Sequence, residues 1–206
     1  MLRSSAVFQL TALPYELLAS AAPWERSCAQ MASELPAGER RVLDLGCGPG
    51  NCTAYLGPGA FGGDHALAML RRARRRSPRL PLVCLDAGAL PLRDGAVDAV
   101  TLHSVLYLLP ERALALREIA RVLRTGGRAL LLEPQQGFAA TLLGLARALA
   151  TPRWALTAAL WHTMGRAYGS FTAPALWSAL ETAGLRVLRI EETLGGLGLL
   201  AVAEKP

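Results

Sequence analysis

The fold of this chain is set by a strand that runs directly into a glycine-rich loop, Val42-Leu43-Asp44-Leu45-Gly46-Cys47-Gly48-Pro49-Gly50. Glycine has no Cβ, so the backbone of such a loop can approach a ligand closely. In open α/β sheets, ligands bind outside the carboxyl ends of the strands, where the strand order reverses. The stretch therefore predicts a sheet of this kind with a binding site at its edge.

Two further acidic residues follow predicted strands in the same way. Asp64 closes a strand predicted over 60–63, and Asp86 closes one predicted over 82–85. A carboxylate at the tip of the second strand can accept hydrogen bonds from the hydroxyl groups of a ribose. Asp86, at the tip of the third strand, can accept one from the amino group of an adenine. The arrangement predicts a nucleoside-type ligand lying across the edge of the sheet.

The glycine loop differs from the loops that bind phosphates. A dinucleotide-binding loop needs G-x-G-x-x-G, and here Asn51 or Thr53 stands at the third glycine position, depending on where the count begins. The Gly-Lys-Ser/Thr ending of a phosphate-binding P-loop is also missing. Asp44 precedes the loop, and its carboxylate would repel a pyrophosphate. A cationic ligand with an amino group and a positive sulfur suits this charge better.

Strands and helices alternate along the chain, which is typical of a parallel sheet with helices on both faces. The turn at Gly195-Gly196 is too short for a parallel crossover, so the last strand is expected to pair as an antiparallel hairpin. The sequence thus predicts an α/β, Rossmann-like, doubly wound sheet of seven strands, mostly parallel, with an antiparallel last strand and a helical insertion over 137–170 after the fifth strand. The strands are predicted over 41–45, 60–63, 82–85, 97–103, 128–133, 185–192 and 197–203. Helices are predicted over 51–56, 65–76, from 110 to the glycines at 126–127, and 173–183.

The composition favours one packed domain. The chain has 206 residues, of which 52% are hydrophobic, and this excludes a mainly disordered protein. Its formal net charge is +6, and the arginines over 71–79 raise the question of nucleic acid binding. Charge runs of this kind more often form a solvated helix face, and we favour that interpretation. We therefore expect no nucleic acid partner.

The cysteines, at positions 28, 47, 52 and 84, are too few and too irregularly spaced for a disulfide scaffold. No C-x-x-C pair occurs, so a structural zinc site is not expected, and no other metal site is evident. Free thiols are typical of a reducing compartment, which predicts a cytoplasmic protein.

Neither the interior nor the N-terminus of the chain predicts a membrane-spanning segment. The longest uncharged run, residues 45–63, is rich in glycine and interrupted by prolines, so it cannot form a spanning helix. The apolar residues after Arg3 imitate a signal peptide, but Gln9, Pro14 and Glu16 interrupt them. We expect this segment to remain in the mature protein.

Several motifs in a fixed order resemble the class I S-adenosylmethionine-dependent methyltransferases. The resemblance covers about residues 35–133, and in finer detail the chain is similar to the small-molecule enzymes of ubiquinone and menaquinone biosynthesis. The motifs that carry it are the glycine loop at 42–50, Gly63-Asp64-His65 with Met69-Leu70, residues 86–92, residues 97–100, residues 105–110 and residues 118–127.

The resemblance implies one methyltransferase domain over 1–206 that uses S-adenosylmethionine as its cofactor. From the residues themselves, we expect 1–34 to form an N-terminal helical cap and 137–170 to form a helical insertion that acts as a lid over the substrate. The cofactor-binding residues that the resemblance implies are Asp44, Gly46, Cys47, Gly48, Gly50, Asp64, His65, Asp86, Ala87 and His103.

Within this set, the resemblance gives each group a role. The backbone of 46–48 would line the methionine moiety, with Asp44 near its amino group. Asp64 would hold the ribose, His65 would lie beside the adenine, and the pair at 86–87 would bind the adenine edge. His103, just past the fourth strand, would flank the reactive end.

The catalytic residue stays open at this point. Methyl transfer from an activated donor mainly requires alignment of the reactants and exclusion of water, with a base where the acceptor must lose a proton. His103 and His162 are the candidate bases. His162 lies in the apolar insertion, where a core or interfacial role is the favoured interpretation.

The aromatic residues of the insertion are expected either to cover an apolar or aromatic acceptor or to pack the extra helices onto the sheet. Phe8, Tyr15 and Trp24 of the N-terminal segment are expected to close the same pocket. The leading hypothesis is methyl transfer to a small, apolar or aromatic acceptor. The alternatives are an RNA or protein methyltransferase and a non-catalytic protein that binds S-adenosylmethionine.

Overall fold

A computed structural model describes residues 21–35, 40–137 and 152–206 of the chain. The strands are β1 (Val42–Leu45), β2 (Ala60–Asp64), β3 (Leu82–Cys84), β4 (Val97–His103), β5 (Leu123–Pro134), β6 (Arg186–Thr193) and β7 (Gly198–Glu204). The helices described are α1 (Ala22–Ser33), α2 (Leu67–Arg76), α3 (Arg112–Val122), α4 (Pro152–Tyr168) and α5 (Ala173–Thr182). Short 3₁₀ turns cover Thr53–Tyr55, Leu106–Leu108 and Leu194–Gly196.

The strands form one seven-stranded sheet in the order β3-β2-β1-β4-β5-β7-β6. β1 pairs in parallel with β2 and β4, and further parallel pairs join β2 to β3 and β4 to β5. β7 runs antiparallel to its neighbours β5 and β6. This confirms the predicted sheet and its antiparallel last strand. The strand order reverses between β1 and β4, so the carboxyl ends of these two strands frame the crevice where such sheets bind ligands.

The middle of the sheet is buried on both faces. Leu130, Leu131 and Leu132 follow one another along β5, and all three are fully buried. Because consecutive side chains of a strand point to opposite faces, packing must cover both sides of the sheet here. A continuous apolar strand is what a central parallel strand requires, and it explains why the fifth strand could be recognised from sequence.

Helix α2 follows the predicted amphipathic pattern. Met69, Leu70 and Ala73 are buried, and the arginines at 74–76 are exposed. Apolar residues at spacings of three and four give one stripe that faces the sheet, and the charged side chains project into water. The arginine run therefore lies on a solvated helix face, as expected.

The boundary between α3 and β5 differs from the prediction. We expected the helix to continue to the glycines at 126–127, but it ends at Val122, and β5 begins at Leu123 and runs for 12 residues. Gly126 donates its backbone N–H to Lys205 O over 2.8 Å, and Lys205 donates to Gly127 O over 2.9 Å. These glycines extend the sheet instead of capping the helix, because the end of the chain supplies partners that no local pattern shows.

The expectation of free cysteines is wrong for two of the four. Cys28 on α1 and Cys52 after the glycine loop form a disulfide, with a Cα–Cα distance of 4.9 Å. Cys47 and Cys84 are free thiols. A separation of 24 residues carries no signal of pairing, and only the packing of α1 against the loop brings the two sulfurs together. The argument from free thiols to a cytoplasmic location loses this support.

Parts of the predicted cap and insertion are described and parts are not. α1 lies within the predicted cap, and α4 occupies 152–168 of the predicted insertion. Phe8, Tyr15 and the segment 138–151 lie outside the described residues. Across the described ranges, no helix is both long and apolar enough to cross a membrane.

Candidate functional site

The predicted residues around the glycine loop meet at a small cavity at the carboxyl ends of β1 and β4, which we call the β1–β4 cavity. Its volume is about 20 Å³. The residues that line it are Trp24, Asp44, Gly46, Cys47, Gly48, Pro49, Asn51, Cys52 and His103. Five of these nine, Asp44, Gly46, Cys47, Gly48 and His103, belong to the set expected from sequence.

Asp44 is a carboxylate buried beneath the loop. Its side chain accepts hydrogen bonds from Thr53 Oγ1 at 2.5 Å and from Thr101 Oγ1 at 2.9 Å. Burial raises the pKa of Asp44 to about 6, although the two hydroxyl donors lower it, and the nearby Asp64 raises it further. A buried carboxyl of this kind favours a positively charged group beside it, because such a group stabilises the ionised form.

Asp64 fixes the loop from the second strand. Its carboxylate accepts hydrogen bonds from the backbone N–H of Gly48 at 2.8 Å and of Ala66 at 2.7 Å. Burial raises the pKa of Asp64, and the two backbone donors act in the opposite direction. The tip of β2 thus holds the middle of the glycine loop against the sheet, with the loop backbone toward the cavity.

The start of the loop can be built only with glycine. Gly46 has a φ of 73°, a conformation that L-residues adopt at a cost. A Cβ at Gly46 would lie 2.5 Å from Val105 Cγ2. The N–H groups of Gly46 and Cys47 both donate to Gly63 O, which closes the turn. Burial raises the pKa of the Cys47 thiol far above its usual range, so Cys47 acts as a small neutral loop residue.

His103 ends β4 at the opposite wall of the cavity and is buried. Ser27 Oγ lies 2.8 Å from His103 Nε2 and also donates to Trp24 O at 2.7 Å. Burial lowers the pKa of His103 to about 4, so the ring is neutral near pH 7.

Aromatic side chains fill the space above His103. The Trp24 ring meets the His103 ring edge-on with centroids 4.6 Å apart, and it meets Trp161 of α4 in the same way at 5.2 Å. Trp161 Nε1 donates to Ser104 Oγ over 2.6 Å, which satisfies the indole N–H. The predicted aromatic face of α4 therefore both packs on the sheet and forms a wall beside the cavity.

A buried glutamate holds the backbone that follows His103. The Glu133 carboxylate, at the end of β5, accepts hydrogen bonds from the backbone N–H of Val105, Leu106 and Tyr107 at 2.8 to 3.1 Å. These donors belong to the start of a 3₁₀ turn, whose N–H groups have no partner within the turn. These bonds fix the position of Val105, which contacts Gly46. Glu133 on β5 therefore helps to stabilise the glycine loop through Val105.

His65, Asp86, Ala87 and Gly50, which also belong to the expected set, are not among the residues that line the cavity. His65 is exposed just after β2, and Asp86 is exposed after β3, where it accepts a hydrogen bond from Gly88 N at 2.8 Å. Ala87 is buried beside it. Gly50 faces α2, since a Cβ there would meet Ala73 at 3.3 Å. Gly50 therefore supports the loop from behind.

Several residues of the site had no clear signal in the sequence. Trp24 was expected near the pocket, but Ser27, Asn51, Cys52, Thr53 and Thr101 were not singled out. Thr53 and Thr101 hold Asp44 from a loop and from β4, and a threonine in a strand is too common to indicate such a contact.

Of the candidate bases, His162 is half-buried on α4 and is not among the residues that line the cavity.

Comparison with known proteins identifies the family. A family model described as a methyltransferase domain matches residues 43–131. The demethylmenaquinone methyltransferase of Mycolicibacterium gilvum is 32% identical over 194 residues, which cover 89% of this chain and 83% of that protein. The protein of the same name from Streptomyces avermitilis is 34% identical over 113 residues, 53% of this chain and 48% of its own length. For most of these curated relatives, the chain spans about half of the relative's length.

Solved structures share the whole fold at low sequence identity. A TehB-like methyltransferase from Corynebacterium glutamicum matches with a TM-score of 0.69 and 20% identity, covering 98% of this chain and 99% of that one. The [4+2]-cyclase SpnF matches with a TM-score of 0.72 and 21% identity, covering 98% of this chain and 96% of that one. At these identities the likeness shows the fold alone, and a protein named for a different reaction shares it.

Replacement of Gly46 by alanine should disturb the loop. The added Cβ would lie 2.5 Å from Val105 in a backbone conformation with φ of 73°. We expect the free energy of unfolding to fall by about 2–4 kcal/mol through strain and overpacking together. Urea denaturation measures the change.

Gly57→Ala is the matched control for this experiment. Gly57 has a φ of 93°, but a Cβ there would meet nothing within 4 Å. The control should therefore lose only about 1–2 kcal/mol through backbone strain. Equal losses in the two variants would show that contact with Val105 does not constrain the loop.

Proposed function

Because the chain belongs to the class I S-adenosylmethionine-dependent methyltransferase family, we propose that it transfers a methyl group from S-adenosylmethionine to a small apolar or aromatic acceptor. The observation that carries this proposal is the pair of acids at the glycine loop. Asp44 is buried beneath the loop and held by two threonine hydroxyls, and half-buried Asp64 accepts a hydrogen bond from the Gly48 N–H.

The chemistry of these donors fits the cofactor. The Asp44 carboxylate, with its pKa raised by burial, gains from a cationic amino group and a positive sulfur nearby. Gly46 and Gly48 present backbone without a Cβ to the cavity, and we propose that Asp64 accepts a hydrogen bond from a ribose hydroxyl. We propose that His65, Asp86 and Ala87 bind the adenine end, and that Gly50 acts through the loop backbone.

S-adenosylmethionine supplies a methyl group already activated by its positive sulfur. The residues of this chain then have to align the acceptor with that group, exclude water and accept a proton where one is lost. His103 is our proposed base, since it lines the cavity and its ring is neutral near pH 7. His162 does not line the cavity and is the weaker candidate.

The acceptor is proposed from the walls of the site. Trp24, Trp161 and His103 form an aromatic cluster beside the glycine loop, which favours a flat apolar molecule. The relatives named demethylmenaquinone methyltransferases support an acceptor of this class. The arginines at 74–76 lie at the end of α2 remote from Asp64, so a polymer bound to them would not reach the cavity directly.

We also propose a cytoplasmic location.

Calorimetry with S-adenosylmethionine tests the binding proposal. We expect the wild-type protein to bind it and Asp64→Ala to bind it about ten- to a hundredfold more weakly, the effect of losing hydrogen bonds to a charged group. Asp94→Ala is the control, because Asp94 is an exposed carboxylate paired with Arg121 outside the cavity. Absence of binding by the folded wild type, checked by thermal denaturation, would remove the proposal.

The affinity should also depend on pH through Asp44. The pKa of Asp44 is raised to about 6, so its carboxyl is mostly protonated at pH 5 and ionised at pH 7.5. A cationic ligand binds the ionised form, and the affinity should therefore fall about tenfold from pH 7.5 to pH 5. Asp44→Asn should bind more weakly and lose most of this dependence, and an unchanged pH profile in that variant would assign the effect to another group.

A labelled-methyl assay separates the classes of acceptor. Methyl-labelled S-adenosylmethionine is incubated with the protein and either a mixture of small hydroxylated quinones and phenols or total RNA. We expect label in the organic extract of the first mixture. Label found in RNA alone would support the alternative polymer substrate, and binding without any transfer would support a non-catalytic protein.

A further inference from the structure

We propose that the Cys28–Cys52 pair is a reversible thiol–disulfide site that controls access to the β1–β4 cavity. The oxidised pair holds α1 closed over the cavity, and reduction releases it. This inference rests on the proposed function, because it concerns entry of a nucleoside-type ligand into that cavity.

The disulfide joins the two sides of the site. Cys28 lies one helical turn after Trp24 on α1, and Cys52 lies at the end of the glycine loop. Both Trp24 and Cys52 line the cavity. The bond therefore ties the helix that carries Trp24 to the loop that carries Gly46 and Gly48.

With this bond in place, the cavity is too small for any nucleoside. Its volume of about 20 Å³ is close to the room for a single water molecule. Ligand pockets for molecules of cofactor size measure roughly 300–1,000 Å³. Trp24 is 4% exposed and packs between His103 and Trp161. Entry of a ligand therefore requires Trp24 to move, and Trp24 is carried by α1.

The two halves of α1 are held differently. In the second half, Gln30 hydrogen-bonds with Glu191 and Thr193, and Glu34 after the helix pairs with Arg189. In the first half, the Ser27–His103 hydrogen bond, the ring contacts of Trp24, the disulfide and the burial of Trp24 and Cys28 in the apolar core join the helix to the site.

The disulfide therefore decides whether the first half of α1 stays against the cavity. Among the described contacts of this half, the disulfide is the covalent one, whereas the hydrogen bond, the ring contacts and the apolar packing can break and re-form. The second half keeps its own anchors when the sulfur–sulfur bond is broken. Reduction should therefore free the Trp24 end of the helix and leave the Glu34 end in place.

The same cluster could in principle hold a metal ion. The ligand atoms of Cys28, Cys52 and His103 lie within 4.8 Å of one another. In the structure, however, the two sulfurs are bonded to each other, and His103 Nε2 is within hydrogen-bond distance of Ser27 Oγ. A metal would need two free thiolates and a rearranged imidazole, so the observations favour the redox site.

The chemistry of the step is ordinary thiol–disulfide exchange. A thiolate of an added dithiol attacks the Cys52 sulfur, the sulfur–sulfur bond breaks, and the Cys28 thiolate leaves and takes up a proton. The second thiol of the reagent then attacks the mixed disulfide and releases Cys52 as a thiol. The protein gains two electrons and two protons, and the dithiol becomes a cyclic disulfide.

The test compares the oxidised and reduced forms of the full chain. Thiol counting after denaturation should give two thiols for the oxidised form, Cys47 and Cys84, and four after dithiothreitol treatment. Calorimetry with S-adenosylmethionine should show binding at least about tenfold tighter for reduced protein and for the Cys28→Ser/Cys52→Ser variant than for oxidised protein. Hydrogen exchange of ligand-free protein should be faster over residues 22–28 in both.

Controls make each outcome decisive. Cys84→Ser, which keeps the paired cysteines, should retain the difference between the two forms. Equal or tighter binding by the oxidised form, unchanged exchange over 22–28, or four thiols remaining after treatment with glutathione disulfide would each overturn the proposal. Stoichiometric zinc binding by reduced protein in a zinc chloride titration would assign a metal site instead. Absence of binding by every form would refute the proposed function, whereas the exchange data would still decide whether the bond closes the helix.

Discussion

Two acidic side chains, Asp44 buried beneath the glycine loop and Asp64 half-buried beside it, set the constraint on which the site depends. Asp64 accepts from the backbone of Gly48, and Asp44 is held beneath the loop by Thr53 and Thr101. Burial raises the pKa of both acids, so negative charge at this edge of the sheet is costly without a positive partner. A positively charged group at this edge would therefore stabilise the ionised carboxylates.

The geometry around this loop explains why the residues of the proposed site gather at one edge of the sheet. The strand order reverses between β1 and β4, and this reversal opens a crevice at the carboxyl ends of the two strands. Gly46 meets Val105 from the far side of that crevice, and Glu133 fixes the backbone of Val105 through three hydrogen bonds. Four parallel strands thus contribute to one small surface.

The helix that covers the crevice gives the site a second layer of control. α1 places Trp24 against His103 and is covalently joined to the loop through Cys28 and Cys52. Such a cover can exclude water from a methyl-transfer site, but it must open for a ligand to enter. A disulfide that forms and breaks with the redox state meets both requirements, because it keeps the cover closed when oxidised and lets it open when reduced.

The local pattern of the chain determined the strands, the parallel sheet, the antiparallel end and the acids at the strand tips. Each of these follows from short-range features: apolar runs such as Leu130–Leu132, the periodic stripe of α2, and the glycines after Leu45. The tertiary structure alone decided the end of α3, the threonines that hold Asp44, and the Cys28–Cys52 pair. Those contacts join residues far apart in the chain, and partners brought together by packing leave no periodic or neighbouring signal in a single sequence.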